Sequence, residues 1–341
     1  MTRRTLTAPM PPRRAATLRD VAREAGVSIA TASYVLNGKG RAGADTRRRV
    51  LDTAARLEFR ADLRGRALRV GRSQSVGLLL PPVEPDRGPR SFTTISFYSE
   101  FAAGAADAAF ERSHALILLP PPARESDLAS FGLAGLLLCD PVRGDARLAM
   151  ADALELPVVS IEPDPDARDN RAGGWVGADN AANTQTLLEH LADRGARTIA
   201  LVVPPVQWAW VLETRSEYLR WCAESGHEPA IVASGDATAL SQLLEHDHPD
   251  AILALSENAA ATAIRTANDH GLGVPSDLLV VAGVDGAMAQ LHDPPITAID
   301  LLPRRQARLA IDRVLALSAG EPPGPPIALE GELRVRRSSG A

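Results

Sequence analysis

The strongest constraint on the fold lies in residues 17–38, TLRDVAREAGVSIATASYVLNG, where two short helical patterns flank a glycine. Thr17 is a candidate N-cap of the first helix, and the charge of Asp20 favours that helix N-terminus. The apolar positions at i, i+3, i+4 and i+7 are Leu18, Val21, Ala22 and Ala25. Gly26 suits a tight turn, and Ser28 is a candidate N-cap of the second helix. The pattern predicts a helix–turn–helix, whose second helix enters the DNA major groove.

Charge is segregated along the chain. Residues 1–73 carry 17 Lys and Arg against 6 Asp and Glu, a net charge of +11, whereas the remainder carries 20 against 36, a net charge of −16. The overall net charge of −5 therefore combines a basic N-terminal segment with an acidic body. Because Lys and Arg neutralise DNA phosphates, this segregation favours DNA contact over the alternative, an ordinary helical hairpin.

The N-terminal motif resembles the signature of the LacI/GalR family of bacterial transcriptional regulators. The resemblance continues through TRRRVLDTAARLEF at 46–59, the family's third helix, and GRALRVGRSQSVGLLLP at 65–81, its hinge and first core strand. It extends over the body at 158–163, 178–202 and 250–286. The resemblance implies a homodimer that binds a double-stranded DNA operator, with a small-molecule effector, a sugar or related compound, in the core.

We expect four parts: a disordered arm at 1–16, a helix–turn–helix DNA-binding domain at 17–60, a hinge at 61–73, and an effector-binding and dimerisation core at 74–341. The fold class is α/β: a three-helix head and hinge, then two Rossmann-like parallel-sheet subdomains of periplasmic-binding-protein type. Short apolar runs alternate with amphipathic helices in the core, which implies parallel sheets covered on both faces.

The predicted strands are Val76–Leu80, Ala115–Leu119, Gly135–Leu138, Val158–Ile161, Ile199–Val203, Ala251–Leu255 and Leu279–Val281. The predicted helices of the core lie near Phe97–Arg112, Asn180–Arg194, Arg215–Ser225, Glu257–His270 and Arg304–Leu317. In doubly wound folds, ligands bind at the carboxyl ends of the strands.

The head offers candidate DNA contacts of two kinds. Ile29 and Ala30 open the second helix and can contact a thymine methyl, and Tyr34 reaches a base or a phosphate one turn further on. The family commonly has Arg where this chain has Tyr34, which puts the usual operator sequence in doubt. The remaining candidates are Thr17, Ser28, Thr31, Ser33, Asn37, Thr46 and Arg47. Capping or solvation is the alternative role of each polar residue.

The connector ADLRGRALR at 61–69 resembles the family's hinge helix, which folds on the operator. Leu68 matches the leucine that the family inserts into the minor groove, and Arg64 and Arg66 lie beside the backbone. Gly65 weakens such a helix by about 1 kcal/mol relative to Ala. The alternative is a plain flexible linker.

For the core, the resemblance implies effector contacts from two walls of a cleft. The candidates from the resemblance are Phe97, Tyr98, Glu162, Arg215, Ser256 and Asp285, and the unusual loop at 203–214 adds Trp208, with Trp210 as a second large ring near the cleft. A carboxylate and an arginine can grip vicinal hydroxyls while an aromatic ring covers an apolar face. Gly286 stands where the family tends to carry a second carboxylate. Three alternatives stay open: a structural Arg215–Asp285 ion pair, an aromatic or nucleoside-like effector, and a core without effector control.

Other classes of protein fit the sequence poorly. GxGxxG, P-loop and GxSxG patterns are absent, so we expect neither catalysis nor a cofactor. His246 and His248 fit a solvated loop better than a metal site. The chain has no apolar run of 18 residues and no secretory signal, and Cys139 and Cys222 fit reduced core thiols. These features favour a cytoplasmic regulator over an exported solute-binding protein.

Overall fold

The computed structural model describes residues 17–36, 42–57, 73–81, 96–122, 124–166 and 174–340. The chain divides into two compact units, Met1–Arg72 and Ser73–Ala341. The described part of the first unit forms three helices: α1 (Leu18–Ala25), α2 (Ile29–Leu36) and α3 (Ala44–Arg56). They enclose a small core of Val21, Ala22, Ala25, Ala32, Val35, Val50 and Ala54. The predicted apolar face of α1 is confirmed, whereas the third helix begins two residues before Thr46.

The described part of the second unit contains twelve strands. They are β1 (Ser75–Leu79), β2 (Ala115–Leu119), β3 (Gly135–Cys139), β4 (Val158–Ile161), β5 (Trp175–Ala178), β6 (Ile199–Val203), β7 (Ala230–Ala233), β8 (Ala251–Ala254), β9 (Leu279–Ala282), β10 (Thr297–Asp300), β11 (Ile327–Leu329) and β12 (Glu332–Arg334). They form two six-stranded sheets of order β11-β5-β4-β3-β1-β2 and β12-β10-β9-β8-β6-β7.

Nine further helices cover these sheets in the described residues. They are α4 (Ser96–Glu111), α5 (Glu125–Ala129), α6 (Ala146–Ala153), α7 (Asn180–Asp193), α8 (Ala209–Ser225), α9 (Ala237–His246), α10 (Glu257–Asp269), α11 (Ala287–Leu291) and α12 (Pro303–Ser318). We call the first sheet with α4–α6 and α12 the N lobe, and the second sheet with α7–α11 the C lobe.

Both sheets have the doubly wound order in which the second strand lies outside the first and the third lies on its other side. This is the flavodoxin-like order, and its switch points lie between β1 and β3 and between β6 and β8. Every strand pair is parallel except β12, which runs antiparallel to β10 at the edge of the second sheet. The expectation of two parallel-sheet subdomains is therefore confirmed, with one antiparallel edge.

The chain passes between the lobes three times: after β5, after β10 and after β11. The second passage returns α12 to the N lobe, where it packs on α4. Gly104 permits this close approach, because a Cβ there would lie 2.8 Å from the Cα of Arg304. Ion pairs tie the two helices together on the surface, with Arg304 to Glu100 at 2.7 Å and Arg308 to Glu111 at 2.6 Å.

All seven predicted strands and all five predicted core helices are confirmed, with small shifts at their ends. The largest shift is at the helix expected near Arg215–Ser225, because α8 begins at Ala209, six residues before Arg215. His246 ends α9 instead of lying in a loop. The elements that we did not predict are β5, β7, β10, β11, β12, α5, α6, α9 and α11. Cys139 and Cys222 are buried free thiols, as expected.

Candidate nucleic-acid interface and ligand cleft

Local hydrogen bonds set the geometry of the helix pair in the head. The hydroxyl of Thr17 accepts from the backbone N–H of Asp20 at 3.3 Å, and the Asp20 carboxylate accepts from the Thr17 N–H at 2.9 Å. This capping box starts α1. Gly26 ends it with φ of +66°, in the left-handed region that glycine adopts without cost. Ser28 then accepts from the N–H of Thr31 at 3.0 Å and caps α2. Both predicted N-caps are confirmed.

The second helix of the pair presents an open outer face. Ala32 and Val35 point into the core, which leaves Ile29 42% exposed and Tyr34 59% exposed. Neither side chain belongs to the core cluster of the described head residues, so their exposed surfaces are available to a partner. Ala30 and Ser28 are exposed, and Thr31 and Ser33 are half-buried.

The remaining predicted contacts divide between described and undescribed residues. On α3, Arg47 is exposed and Thr46 is half-buried near the helix N-terminus. Asn37, Arg64, Arg66 and Leu68 lie outside the described residues. The predicted contacts that fall within the described residues thus lie at the start of α1, at the start and on the outer face of α2, and in the first turn of α3, where backbone N–H groups favour phosphate.

In the N lobe, two carboxylates follow directly on buried strands. Asp140 comes after β3 and Glu162 after β4, and both are almost fully buried. Both adopt left-handed backbone conformations that non-glycine residues rarely take, with φ of +44° and +71°. Such conformations cost about 1 kcal/mol or more each and cluster at functional sites. Gly177 makes room for Glu162, since a Cβ there would lie 2.7 Å from the Glu162 carboxylate oxygen Oε1.

The second of these carboxylates, Glu162, joins the two lobes. Glu162 accepts from the backbone N–H of Ala178 at 2.8 Å and from the Asn180 amide at 2.9 Å. The same Asn180 nitrogen donates to Glu213 of α8 at 2.9 Å. Asp140 accepts from the hydroxyl of Tyr98 within the N lobe. Glu162 therefore connects to the C lobe through Asn180, which also bonds to Glu213 of α8.

Burial dominates the ionisation of both groups. Desolvation raises the pKa of Asp140 to about 6, opposed by the Tyr98 hydrogen bond and the charge of Arg147. Desolvation also raises the pKa of Glu162 to about 8, with further increases from the charges of Asp140 and Glu213 and opposition from hydrogen bonds with Ala178 and Asn180.

The two predicted aromatic contacts of the N lobe take different places. Tyr98 is buried, and its hydroxyl is bonded to Asp140. Phe97 is half-buried, packs edge-on against Tyr98 with ring centroids 5.5 Å apart, and stacks on Phe101 at 6.1 Å. Both residues thus contribute to the packing of α4 on the first sheet.

Helix α8 places its side chains differently from the sequence-based prediction. Arg215 is exposed and lines a cavity of about 300 Å³ beside the segment 203–207, together with Val211 and Ile231. The side chain of α8 that bonds to this network is Glu213, which accepts from the Asn180 amide. Trp208 precedes α8, and its ring lies 5.7 Å from that of Trp210. The expectation that Arg215 clamps a ligand together with a carboxylate has no support from this arrangement.

A larger cavity of about 550 Å³ lies between the lobes. Loop residues Arg143 and Pro165 of the N lobe line one side, and residues of α7 and α8, among them Asn180 and Glu213, line the other. Arg143 pairs with Asp166 at 3.1 Å. None of the seven predicted effector contacts lines this cavity, whereas the Asn180–Glu213 hydrogen bond lies in its wall.

The two remaining predicted contacts have structural partners. Ser256 caps α10 by accepting from the N–H of Ala259 at 3.2 Å. Asp285 follows β9 and pairs with Arg336, not with Arg215, so the structural ion pair exists with a different arginine. Sequence reasoning missed Arg336, and it missed Asp140 although this carboxylate directly follows the buried run GLLLC.

Two further properties concern the described part of the chain. There, no group of three or more His, Cys, Asp or Glu side chains is arranged to hold a metal ion. The described helices include none that is both long and apolar enough to span a membrane.

Comparison with known proteins gives the geometry a context. Residues 17–62 match the bacterial regulatory proteins of the lacI family, and residues 188–339 match the periplasmic binding protein-like domain. A helix–turn–helix head joined to a core of this type defines a DNA-binding transcriptional regulator. Residues 17–62 carry the DNA-binding domain of the lacI family, and the chain is similar to regulators with this domain over most of its length.

Its relatives are similar along most of the chain. It is 28% identical to the transcriptional regulator CelR of Thermobifida fusca, over 96% of this chain and 99% of the relative. It is 26% identical to catabolite control protein A of Priestia megaterium, over 83% of this chain and 86% of the relative. These relatives are regulators, not enzymes.

Solved structures share the fold. The lac repressor dimer bound to operator and the anti-inducer ONPF matches with a TM-score of 0.82 at 23% identity, over 96% of this chain and 100% of that chain. The CelR–cellobiose complex matches with a TM-score of 0.69 at 24% identity, over 95% and 99%. The agreement covers head and core alike.

Proposed function

We propose that the protein is a cytoplasmic repressor that binds a palindromic operator as a homodimer and responds to a small molecule bound between its lobes. The observation that carries this proposal is the open face of α2, where Ile29 and Tyr34 are exposed on a helix held in place by two N-caps. A two-fold protein requires a two-fold operator, with half-sites about one helical turn apart.

The proposed DNA contacts follow from exposure and chemistry. Ile29, Ala30 and Tyr34 read base edges, while Arg47 contacts phosphate beside the N-terminus of α3. The proposed phosphate contacts of smaller polar residues are Thr17, Ser28, Thr31, Ser33, Asn37 and Thr46. Thr17 and Ser28 combine this role with capping.

The proposed domain boundaries are those expected from the sequence: an arm at 1–16, the head at 17–60, a hinge at 61–73 and the core at 74–341. In the hinge, we propose that Leu68 enters the minor groove at the operator centre, with Arg64 and Arg66 against the backbone. Ordering of this hinge on DNA couples the core to the head.

The effector is proposed to be a sugar or related polar molecule in the cavity of about 550 Å³ between the lobes. The solved complex of CelR with cellobiose supports a carbohydrate ligand. Within the cavity, Asn180 and Glu213 offer the paired donor and acceptor that hydroxyl groups need. Of the effector contacts expected from the sequence, Glu162 is the one linked to this cavity, since it accepts from the Asn180 amide in the cavity wall.

Exposed apolar side chains on the surface of the domain at 74–341 support the proposed homodimer. Phe110 on α4 is 82% exposed, and Leu291 at the end of α11 is 85% exposed. Leu118 is exposed on β2, the edge strand of the first sheet. Side chains of this size gain free energy when a second copy covers them.

The test is selection of bound duplexes from a random DNA pool by the purified full-length protein, followed by sequencing. Enrichment of a palindrome of roughly 14–20 base pairs is expected, because two heads read two half-sites. Uniform, salt-sensitive binding without an enriched sequence, both alone and with cell metabolites added, would overturn the proposal.

A further inference from the structure

The lobes also touch through a second set of contacts, at the start of α4. The hydroxyl of Ser96, the first residue of α4, donates to the Glu257 carboxylate oxygen Oε1 at 2.7 Å. Glu257 is the first residue of α10 in the C lobe and is 4% exposed. Its other oxygen accepts from the backbone N–H groups of Met288 and Ala289 at 2.9 and 3.2 Å.

The same hydroxyl makes a second hydrogen bond to the C lobe, in which Ser96 Oγ accepts from the N–H of Ala287 at 3.1 Å. One buried carboxylate thus joins the N-terminal turns of α4, α10 and α11, where backbone N–H groups favour negative charge. We call these contacts of Ser96, Glu257 and residues 287–289 the interlock. Every donor and acceptor in it is matched without a ligand.

The interlock depends on Gly286. A Cβ at this position would collide with the Cβ and Oγ of Ser96 and lie 2.6 Å from Oε2 of Glu257. Gly286 has φ of −177°, an extended conformation open to any residue, so the backbone does not require glycine here. The space for Ser96 is what requires it. This is the position at which the sequence lacks the carboxylate expected from the family resemblance.

The interlock lies where it can control the opening of the lobes. The Asn180 contacts lie at the first chain passage, where the lobes are covalently joined. Ser96 and Glu257 are 161 residues apart in sequence, and neither lies in a passage. Hinge closure is controlled by contacts away from the hinge, because these are made in the closed state and broken in the open one.

We infer that the Ser96–Glu257 interlock holds the lobes closed in the absence of effector, and that Gly286 permits it. The inference deepens the proposed function and rests on it only for the link to DNA. A ligand of this protein then acts on a core that is already closed, so it must bind the closed form or break the interlock.

The experiment measures the distance between the lobes in the full-length protein, with spin labels at Ser130→Cys in the N lobe and Ser225→Cys in the C lobe. Both positions are exposed, while the native thiols are buried. Gly286→Ala and Ser96→Ala are each expected to shift or broaden the distance distribution by several ångströms. Ser99→Ala is the matched control, because Ser99 lies on the same helix, is exposed, and donates within α4 to the carbonyl of Ser96 and not to the C lobe as far as the described residues go.

Unchanged distances in both interlock variants, even with lowered thermal stability, would overturn the inference, since a purely structural contact would give that result. Affinity for the selected operator separates the inference from the proposed function. Altered distances with a changed operator affinity support both. Altered distances with unchanged operator affinity support the inference about the interlock and contradict the proposed coupling between core and head.

Discussion

Arg336 and Asp285 form a bidentate ion pair in which both nitrogen–oxygen distances are 2.8 Å. The pair is well shielded, with Asp285 9% and Arg336 19% exposed in their side chains. Arg336 also donates to the carbonyl of Ile296 at 2.6 Å. The pair anchors the C-terminal segment beside the end of β9, and it makes Asp285 first of all a stabilising residue.

Replacing Asp285→Ala is therefore expected to lower the free energy of unfolding by about 2 kcal/mol, because it leaves a shielded guanidinium without its carboxylate. Urea unfolding of the full chain measures this. Asp293→Ala is the matched control, since the neighbouring Arg337–Asp293 pair is exposed and is worth less than about 0.5 kcal/mol. Equal losses in the two variants would contradict the assignment.

The raised pKa of Glu162 predicts how stability depends on pH. The unfolded carboxyl ionises near its ordinary pKa of 4.5, whereas the folded one keeps its proton up to a pKa of about 8. The folded state thus binds more protons between these values, and stability falls as pH rises through that window. Asp140, with a pKa of about 6, acts in the same direction.

Glu162→Gln removes this titration while keeping the shape and an acceptor for the N–H of Ala178. The fall in melting temperature between pH 5 and pH 8.5 is expected to be smaller in this variant than in the parent protein. Glu224→Gln, an exposed change on α8, is expected to leave the profile unchanged. A Glu162→Gln profile that overlays the parent's would show that Glu162 does not carry the dependence.

In the head, Tyr34→Ala and Arg47→Ala are expected to differ in kind. Loss of a base contact by Tyr34 reduces affinity for the selected operator by about tenfold and leaves non-specific affinity unchanged. Loss of a phosphate contact by Arg47 weakens both and lowers the salt dependence by about one ion. Fluorescence anisotropy at several salt concentrations distinguishes them, and identical effects would refute the division of roles.

The hinge prediction concerns Leu68. Leu68→Ala is expected to weaken binding to the selected operator and to reduce DNA bending, while binding to random DNA stays nearly intact. Bending is measured by energy transfer between dyes at the duplex ends. An equal loss of affinity for operator and for random DNA would show that Leu68 does not enter the minor groove.

The sequence revealed the head and the layering of the core because both depend on local patterns. The spacing of Val21, Ala22 and Ala25 and the caps at Thr17 and Ser28 act within one or two helical turns. Buried strands such as β3 are nearly uninterrupted apolar runs. The edge strands β11 and β12 have three residues each and lie partly exposed, so no such run marks them.

The cleft was harder to predict, since it depends on helix register and on partners distant in sequence. Glu213 and Arg215 are two residues apart on α8, and this small difference decides which one meets Asn180 and which one is exposed. Asp285 was expected to meet a ligand, but its partner lies 51 residues further along the chain. A family resemblance indicates which residues occupy the family's site positions. The packing of this chain determines which side chains those residues contact.

The three passages between the lobes have a consequence for synthesis. A chain that stops after β10 lacks α12 and β11 from the N lobe and β12 from the C lobe. Neither lobe can therefore be completed on the ribosome before the last few tens of residues emerge, and such non-local closure is slow. An interrupted transcript would yield a finished DNA-reading head on an unfinished body. Because β11 and β12 cover β5 and β10, such a fragment would leave these two strands as open sheet edges, one in each lobe.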